Sequence, residues 1–217
     1  MPQKALVLGG TKGIGKAIAD GLQSIGCSVY AASKKDIDTA HIASVKAFAS
    51  AQKETDILVL NTGGPPQKDF FEAKERDWIA AHNQLFLGFC ALLQNLRVND
   101  NGYIFLISSY VIKEPRADLV LSSAYRTAFA SVFKILSAHY AERGISCINI
   151  APGPIKTERL LSLVSDMAEY EKTLPLKRAG DPKEIGDLVK SIVLNQIHYI
   201  TGATINFDGG ISCSLFS

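Results

Sequence analysis

The feature that most constrains this chain lies in its first fifteen residues. An apolar run, 4–8 (KALVL), passes directly into Gly9-Gly10-Thr11-Lys12-Gly13-Ile14-Gly15. A helical stripe of Ile14, Ala17, Ile18, Leu22 and Ile25 follows at once and stops at Gly26. A tight turn at a strand end needs residues without Cβ, and a pyrophosphate needs close approach to backbone. A helix that opens there presents free N–H groups and the positive end of its dipole. Strand, glycine turn and helix in this order predict a dinucleotide seated at the end of the first strand.

The rest of the chain repeats the strand–helix rhythm. Strand-like runs fall at 28–32, 56–61, 103–108, 145–150 and 203–207, apolar on both faces as covered parallel strands are. Helical periodicity fills about 39–52, 76–97, 122–142 and 182–195, the last opened by Asp181-Pro182, a cap followed by proline at the first turn. This alternation predicts an α/β fold, a Rossmann-type doubly wound parallel sheet flanked by helices, as a single domain over 1–217. A net charge of +2 gives no reason to expect nucleic acid or a membrane surface as partner. The four cysteines, Cys27, Cys90, Cys147 and Cys213, lack metal-ligand spacing, so no metal site is expected and free thiols in a reducing compartment are. Met1–Lys4 leads straight into the first strand and no apolar run approaches the ~18 residues of a spanning helix, so a cytoplasmic protein is expected.

The glycine spacing is G-x-x-x-G-x-G, and other landmarks occur in register with it. They are Asn61-Thr62-Gly63-Gly64, Ile107-Ser108-Ser109, Arg143-Gly144-Ile145, Pro152 to Thr157, and Tyr199 to Gly202 with Asp208-Gly209-Gly210. Together they resemble the short-chain dehydrogenase/reductase family across nearly the whole chain. The resemblance implies a sheet of about seven strands. Residues 33–55 are too few for the usual helix, strand and second helix, so one helix should be missing and the strand around 36–38 vestigial.

By the resemblance, Gly9, Thr11, Lys12, Gly13, Ile14 and Gly15 hold the cofactor's phosphates. Asp36 meets the adenine amine, and Asn61, Gly63, Pro152, Gly153, Ile155 and Thr157 line the ribose and nicotinamide. An acidic residue ending the second strand would favour NAD. The chain has Ser33 and Lys34 there, with Lys12 nearby, which suits a 2′-phosphate and predicts NADP in preference to NAD.

The family's Asn–Ser–Tyr–Lys set is incomplete. Ser109 matches the serine. The tyrosine position, thirteen residues on, is Ser122; the lysine position is Arg126; the asparagine position is Leu85, with Asn83 near but out of register. A serine hydroxyl is a far weaker acid than a tuned phenol, and arginine keeps the charge without shuttling protons. Arg126 therefore counts both as a cofactor contact and as a candidate in the catalytic set with Ser109 and Ser122. Tyr125, one turn from Ser122, is the substitute acid considered first. Tyr110 adjoins Ser109 and is the second substitute considered, expected to point elsewhere; His82 and His139 read as packing or surface residues.

Residues 157–181 should form a lid carrying Leu160, Leu161, Leu163, Val164, Met167 and Tyr170, suited to an apolar substrate or equally to core packing. Three functions follow from these residues. The first is NADPH-linked reduction of a small carbonyl-type substrate. The second is a non-catalytic NADP-binding sensor or partner protein. The third is a lyase or isomerase on the same fold. A homodimer or homotetramer is expected through the helices at 76–97 and 122–142.

Overall fold

The computed structural model describes residues 2–215. Its centre is a parallel sheet of six strands, β1 Lys4–Leu8, β2 Ser28–Ala32, β3 Glu54–Leu60, β4 Arg97–Ile107, β5 Ser146–Pro152 and β6 Ala203–Phe207. The strand order is β2-β1-β3-β4-β5-β6. The chain steps outward from β1 to β2, then crosses back to lay β3 on the other side of β1, so the direction of winding reverses between β1 and β3. Ligand crevices in such sheets open at this reversal, at the carboxyl ends of the strands.

Alternate side chains of each strand go to opposite layers. Leu6, Leu8, Leu58, Leu60, Ile104 and Leu106 are buried beneath α2 Ile42–Gln52, α4 Gly88–Asn95 and α5 Val120–Ala141, against residues such as Phe48, Leu92 and Phe129. Val7, Ile57, Val59, Phe105, Ile148 and Ile150 are buried beneath α1 Gly13–Gln23 and α8 Pro182–Leu194, against Ile18, Leu22, Ile185 and Val189. This two-sided burial is why the strands read as continuous apolar runs. α1 and α8 cross at small residues: a Cβ on Gly186 would stand 2.4 Å from the Ala17 carbonyl oxygen.

The sheet has six strands where the resemblance implied about seven. Residues 33–41 form turns with no strand, and α2 begins at Ile42 rather than near 39. The segment is simply too short to leave β2, build another strand and return, so β2 is an edge of the sheet. The helix expected over 76–97 is interrupted. α3 Glu75–His82 runs into a π-helical turn, Asn83–Leu87, and then into α4. The lid contains two short helices, α6 Glu158–Leu163 and α7 Met167–Thr173, neither with a buried residue. Among the described residues no helix is long and apolar enough to cross a membrane. No cluster of His, Cys, Asp and Glu that could hold a metal ion occurs among the described residues.

Candidate functional site

The glycine turn joins β1 to α1 at the switch point. Gly9 (φ 59°) and Gly13 (φ 51°) occupy the left-handed region that side chains disfavour. A Cβ on Gly15 would lie 2.1 Å from the Gly9 carbonyl oxygen. Asn61, at the end of β3, donates through Nδ2 to the Leu8 carbonyl at 3.1 Å and so ties the two central strands together beneath the turn. α1 begins with no side-chain cap and no acid in its first turn. The turn is thus a cradle that side chains would fill, closed by a helix end whose donors are not capped from within. These are the properties a dinucleotide diphosphate needs.

Two cavities open from this point. The smaller, about 280 Å³, is lined by Gly9, Ser33, Lys34, Asp38, Thr39 and Gln84, among others. Asp36, matched from sequence to the adenine contact, does not line it. Its carboxylate accepts from the Ser33 hydroxyl (2.7 Å), the Ser33 N–H (2.8 Å) and the Tyr30 hydroxyl (3.1 Å). The Ser33 hydroxyl holds it below the usual carboxylate range. Asp38 and Thr39 take the cavity wall instead. Lys34 lies 3.4 Å from Asp38, and Lys12 pairs with Glu158 of the lid at 3.1 Å. Thr11 is exposed on the turn.

The larger cavity, about 710 Å³, contains Ile14, Asn61, Gly63, Ser109, Ser122, Arg126 and the Pro152–Ile155 stretch with Thr157. The sequence therefore identified residues that the fold does bring together. A Cβ on Gly153 would lie 2.8 Å from the Asp208 Cα, which is why the turn after β5 is glycine there. Ser109, two residues beyond β4, caps the short 3₁₀ turn Tyr110–Ile112, its Oγ accepting from the Val111 N–H at 3.4 Å. Ser122 lies in the first turn of α5. Arg126, one turn further, donates through Nε to Ser122 Oγ (3.1 Å) and through Nη1 to the carbonyls of Ile107 (3.1 Å) and Ser108 (3.2 Å). Its Nη2 reaches the Thr62 carbonyl (3.4 Å). The guanidinium thus braces the ends of β3 and β4. Burial, with repulsion from Arg159, pushes its pKa down to about 10, so it remains a cation at neutral pH.

Tyr125 does not reach the cavity wall. Its ring packs edge-on against Trp78 (centroids 6.0 Å) and His82 (5.5 Å) between α3 and α5. Helical rotation of three residues from Ser122 turns it to that neighbouring face. Tyr110, expected from sequence to point elsewhere, lines the larger cavity. Leu85 is buried. The π-helical turn that carries it aims Gln84 at the cleft, where its Nε2 donates to the Gly63 carbonyl at 2.8 Å. Gln84, Thr39, Arg116 and Arg159 are site residues that sequence reasoning missed. A π turn inside a helix has no compositional signal, and the arginines sit in loop and lid segments whose path a sequence does not fix.

The segment expected to form a lid lines the cavity with Leu160, Leu163, Val164 and Tyr170. Leu161 faces outward, 49% exposed. Arg159 fastens the lid to the loop after β3, donating to the carbonyls of Gly64 (3.0 Å) and Pro65 (2.7 Å).

Comparison with known proteins agrees with this geometry. Residues 37–212 match the family model described as enoyl-(acyl carrier protein) reductase. A 3-oxoacyl-[acyl-carrier-protein] reductase of Buchnera aphidicola is 30% identical over 161 residues, covering 72% of this chain and 66% of that protein. A short-chain dehydrogenase/reductase from Serratia marcescens superposes with a TM-score of 0.87 at 26% identity, covering 97% of this chain and 98% of its own. L-sorbose reductase from Gluconobacter frateurii, complexed with NADPH and L-sorbose, superposes with a TM-score of 0.87 at 21% identity over 99% of this chain and 98% of its own.

Proposed function

The chain belongs to the short-chain dehydrogenase/reductase family, and on that premise we propose that it reduces a small carbonyl compound with NADPH. The observation that carries this reading is the continuity of the cleft. An intact phosphate cradle at the switch point opens into a cavity where Ser109 stands at a strand end beside a cation, Arg126.

In this reading Gly13, Ile14 and Gly15 hold the diphosphate on α1. Asp38 and Thr39 line the adenosine end, and Ser33 and Lys34 meet the 2′-phosphate, which takes the place of the Asp36 carboxylate on Ser33. Arg126 holds the nicotinamide ribose beside the Pro152–Thr157 stretch. A reduced nicotinamide, when bound, supplies hydride. The chain's own groups orient and polarise the carbonyl. Ser109, whose oxygen already accepts from Val111, keeps its O–H free to donate to a carbonyl oxygen. The apolar lid side chains exclude water and favour an apolar substrate. Self-association is part of the proposal: Ile79 and Ile135 leave the outer faces of α3 and α5 apolar. So is a cytoplasmic location.

Titration of the purified protein with NADPH and with NADH, followed by NADPH oxidation against aldehydes and ketones, tests the reading. Preferred NADPH binding with turnover supports it; absence of binding to either cofactor rules it out. Serine in the acid position favours a second reading, an NADP-binding sensor without turnover. Tight binding with no oxidation across the panel selects that one.

A further inference from the structure

Ser122 and Arg126 occupy the positions of the family's proton donor and its lysine; a serine hydroxyl is too weak an acid to protonate a nascent alkoxide, and all three guanidinium nitrogens of Arg126 are committed to Ser122 and to main-chain carbonyls. We propose that the phenol of Tyr110, held by Arg116, is the general acid of this reductase. The assignment rests on the reductase reading above.

Tyr110 follows Ser109 at the end of β4 and opens the 3₁₀ turn. It is only 9% exposed, yet it belongs to neither of the two hydrophobic layers. It lines the 710 Å³ cavity together with Ser109 and Ser122. Its hydroxyl oxygen accepts from Arg116 Nη1 at 3.1 Å. Arg116 is clamped in turn by Asp118, through Nε to Oδ1 (2.9 Å) and Nη2 to Oδ2 (2.8 Å). A two-point grip on one edge of the guanidinium fixes the plane of the other nitrogen, so Nη1 is aimed at the phenol rather than free to wander. A fixed cation there stabilises the negative charge left on the oxygen once its proton has gone.

The alternatives in the same cavity lack this arrangement. Tyr125 is stacked away between α3 and α5. Tyr170 lines the cavity from α7, but burial pushes its phenol up and no cation donates to it among the described residues. A bound reduced nicotinamide would supply hydride to the carbonyl carbon, whose π pair would move to oxygen. The O–H bond of Tyr110 breaks, and its proton forms the product hydroxyl. The phenolate, held by Arg116, takes a proton from water in the cavity. Ser109 hydrogen-bonds the same oxygen throughout. Arg116 is a positioning residue in this scheme, since it acts through Tyr110.

The test compares the parent with Tyr110→Phe, Arg116→Gln and Tyr125→Phe by three measurements. These are the NADPH dissociation constant from calorimetry, kcat and KM for NADPH oxidation against aldehydes and ketones, and nitration of the folded protein by tetranitromethane mapped by mass spectrometry. Tyr110→Phe should bind NADPH within about twofold of the parent and lose about 10²- to 10⁴-fold in kcat with KM little changed, the usual size of a general-acid effect. Arg116→Gln should lower kcat in the same direction by less, and Tyr125→Phe should stay close to the parent. Nitration should mark Tyr110 in the parent and slow when a carbonyl that is turned over fills the cavity. Tyr110→Phe with near-parental kcat, or Tyr110 nitration indifferent to that carbonyl, overturns the assignment and leaves the reductase reading intact. A parent that binds NADPH and reduces nothing in the panel overturns both.

Discussion

At the scale of single residues, the chain's chemistry depends on side chains that are absent as much as on those present. Gly15→Ala would drive a Cβ to 2.1 Å from the Gly9 carbonyl oxygen. The backbone must shift to relieve this, and overpacking of that kind costs about 1–3 kcal/mol. Denaturant melts should show that loss, and NADPH affinity should fall by at least about tenfold, because the same backbone must approach the diphosphate. Asp36→Asn should act in the opposite direction. Its carboxylate occupies the Ser33 N–H and hydroxyl that a 2′-phosphate would use. Removing the charge should tighten NADPH severalfold while leaving NADH nearly unchanged; parallel titrations check this. The gathering of the cradle glycines, Asn61, Ser109 and Arg126 around one cleft was legible in the sequence because it follows from position in an ordered set of motifs. The direction of Asp36 and the inward placing of Tyr110 were not. Each depends on which way a turn residue points after the strand ends, and neighbouring residues in a turn can face opposite sides with the same composition.

Among the elements, the strands and most helices could be read because burial on two sides leaves a strong apolar signal. α8 shows how local chemistry sets an element boundary. Asp181 accepts from the Lys183 N–H at 2.8 Å, Glu184 reaches back to the Asp181 N–H at 2.9 Å, and Pro182 fills the first turn. Arg178 grips Glu184 through both carboxylate oxygens at 2.8 Å. That grip pulls the Glu184 pKa from an ordinary 4.5 to about 2. A depressed folded-state pKa stabilises above the unfolded value, and the benefit disappears as pH falls through the interval from 4.5 toward 2. Thermal melts from pH 7 to pH 2 should therefore show the parent above Glu184→Gln at neutral pH, with the two curves converging below pH 4.5. The π-helical turn at Asn83–Leu87 had no comparable signature. Its residues fit an α-helix equally well, and only packing against the 62–63 loop and the Thr39 carbonyl, which a Cβ on Gly88 would meet at 2.2 Å, selects the wider turn.

For the molecule as a whole, the doubly wound topology was recoverable from element order, since parallel crossovers leave few arrangements. The lid was recoverable only as a location, because its two short helices hold no fully buried residue and its fastening relies on Arg159 reaching backbone carbonyls. The proposed self-association would use the outer faces of α3 and α5, where Ile135 is 71% exposed. Sedimentation should find a dimer or tetramer for the parent and a smaller species for Ile135→Glu; a monomeric parent would dismiss the interface. The shortened 33–41 segment has a consequence for colloidal behaviour. With no further strand outside it, β2 presents a row of unpaired backbone donors and acceptors over Ser28–Ala32, a stretch without a single charge. Such borders recruit other chains into fibrils unless something repels them. Lys34 and Lys35, immediately beyond the strand, are placed as gatekeepers. Neutralising both should leave a folded protein that clouds with time and concentration by light scattering, which would show these two cations to be what keeps the protein dispersed.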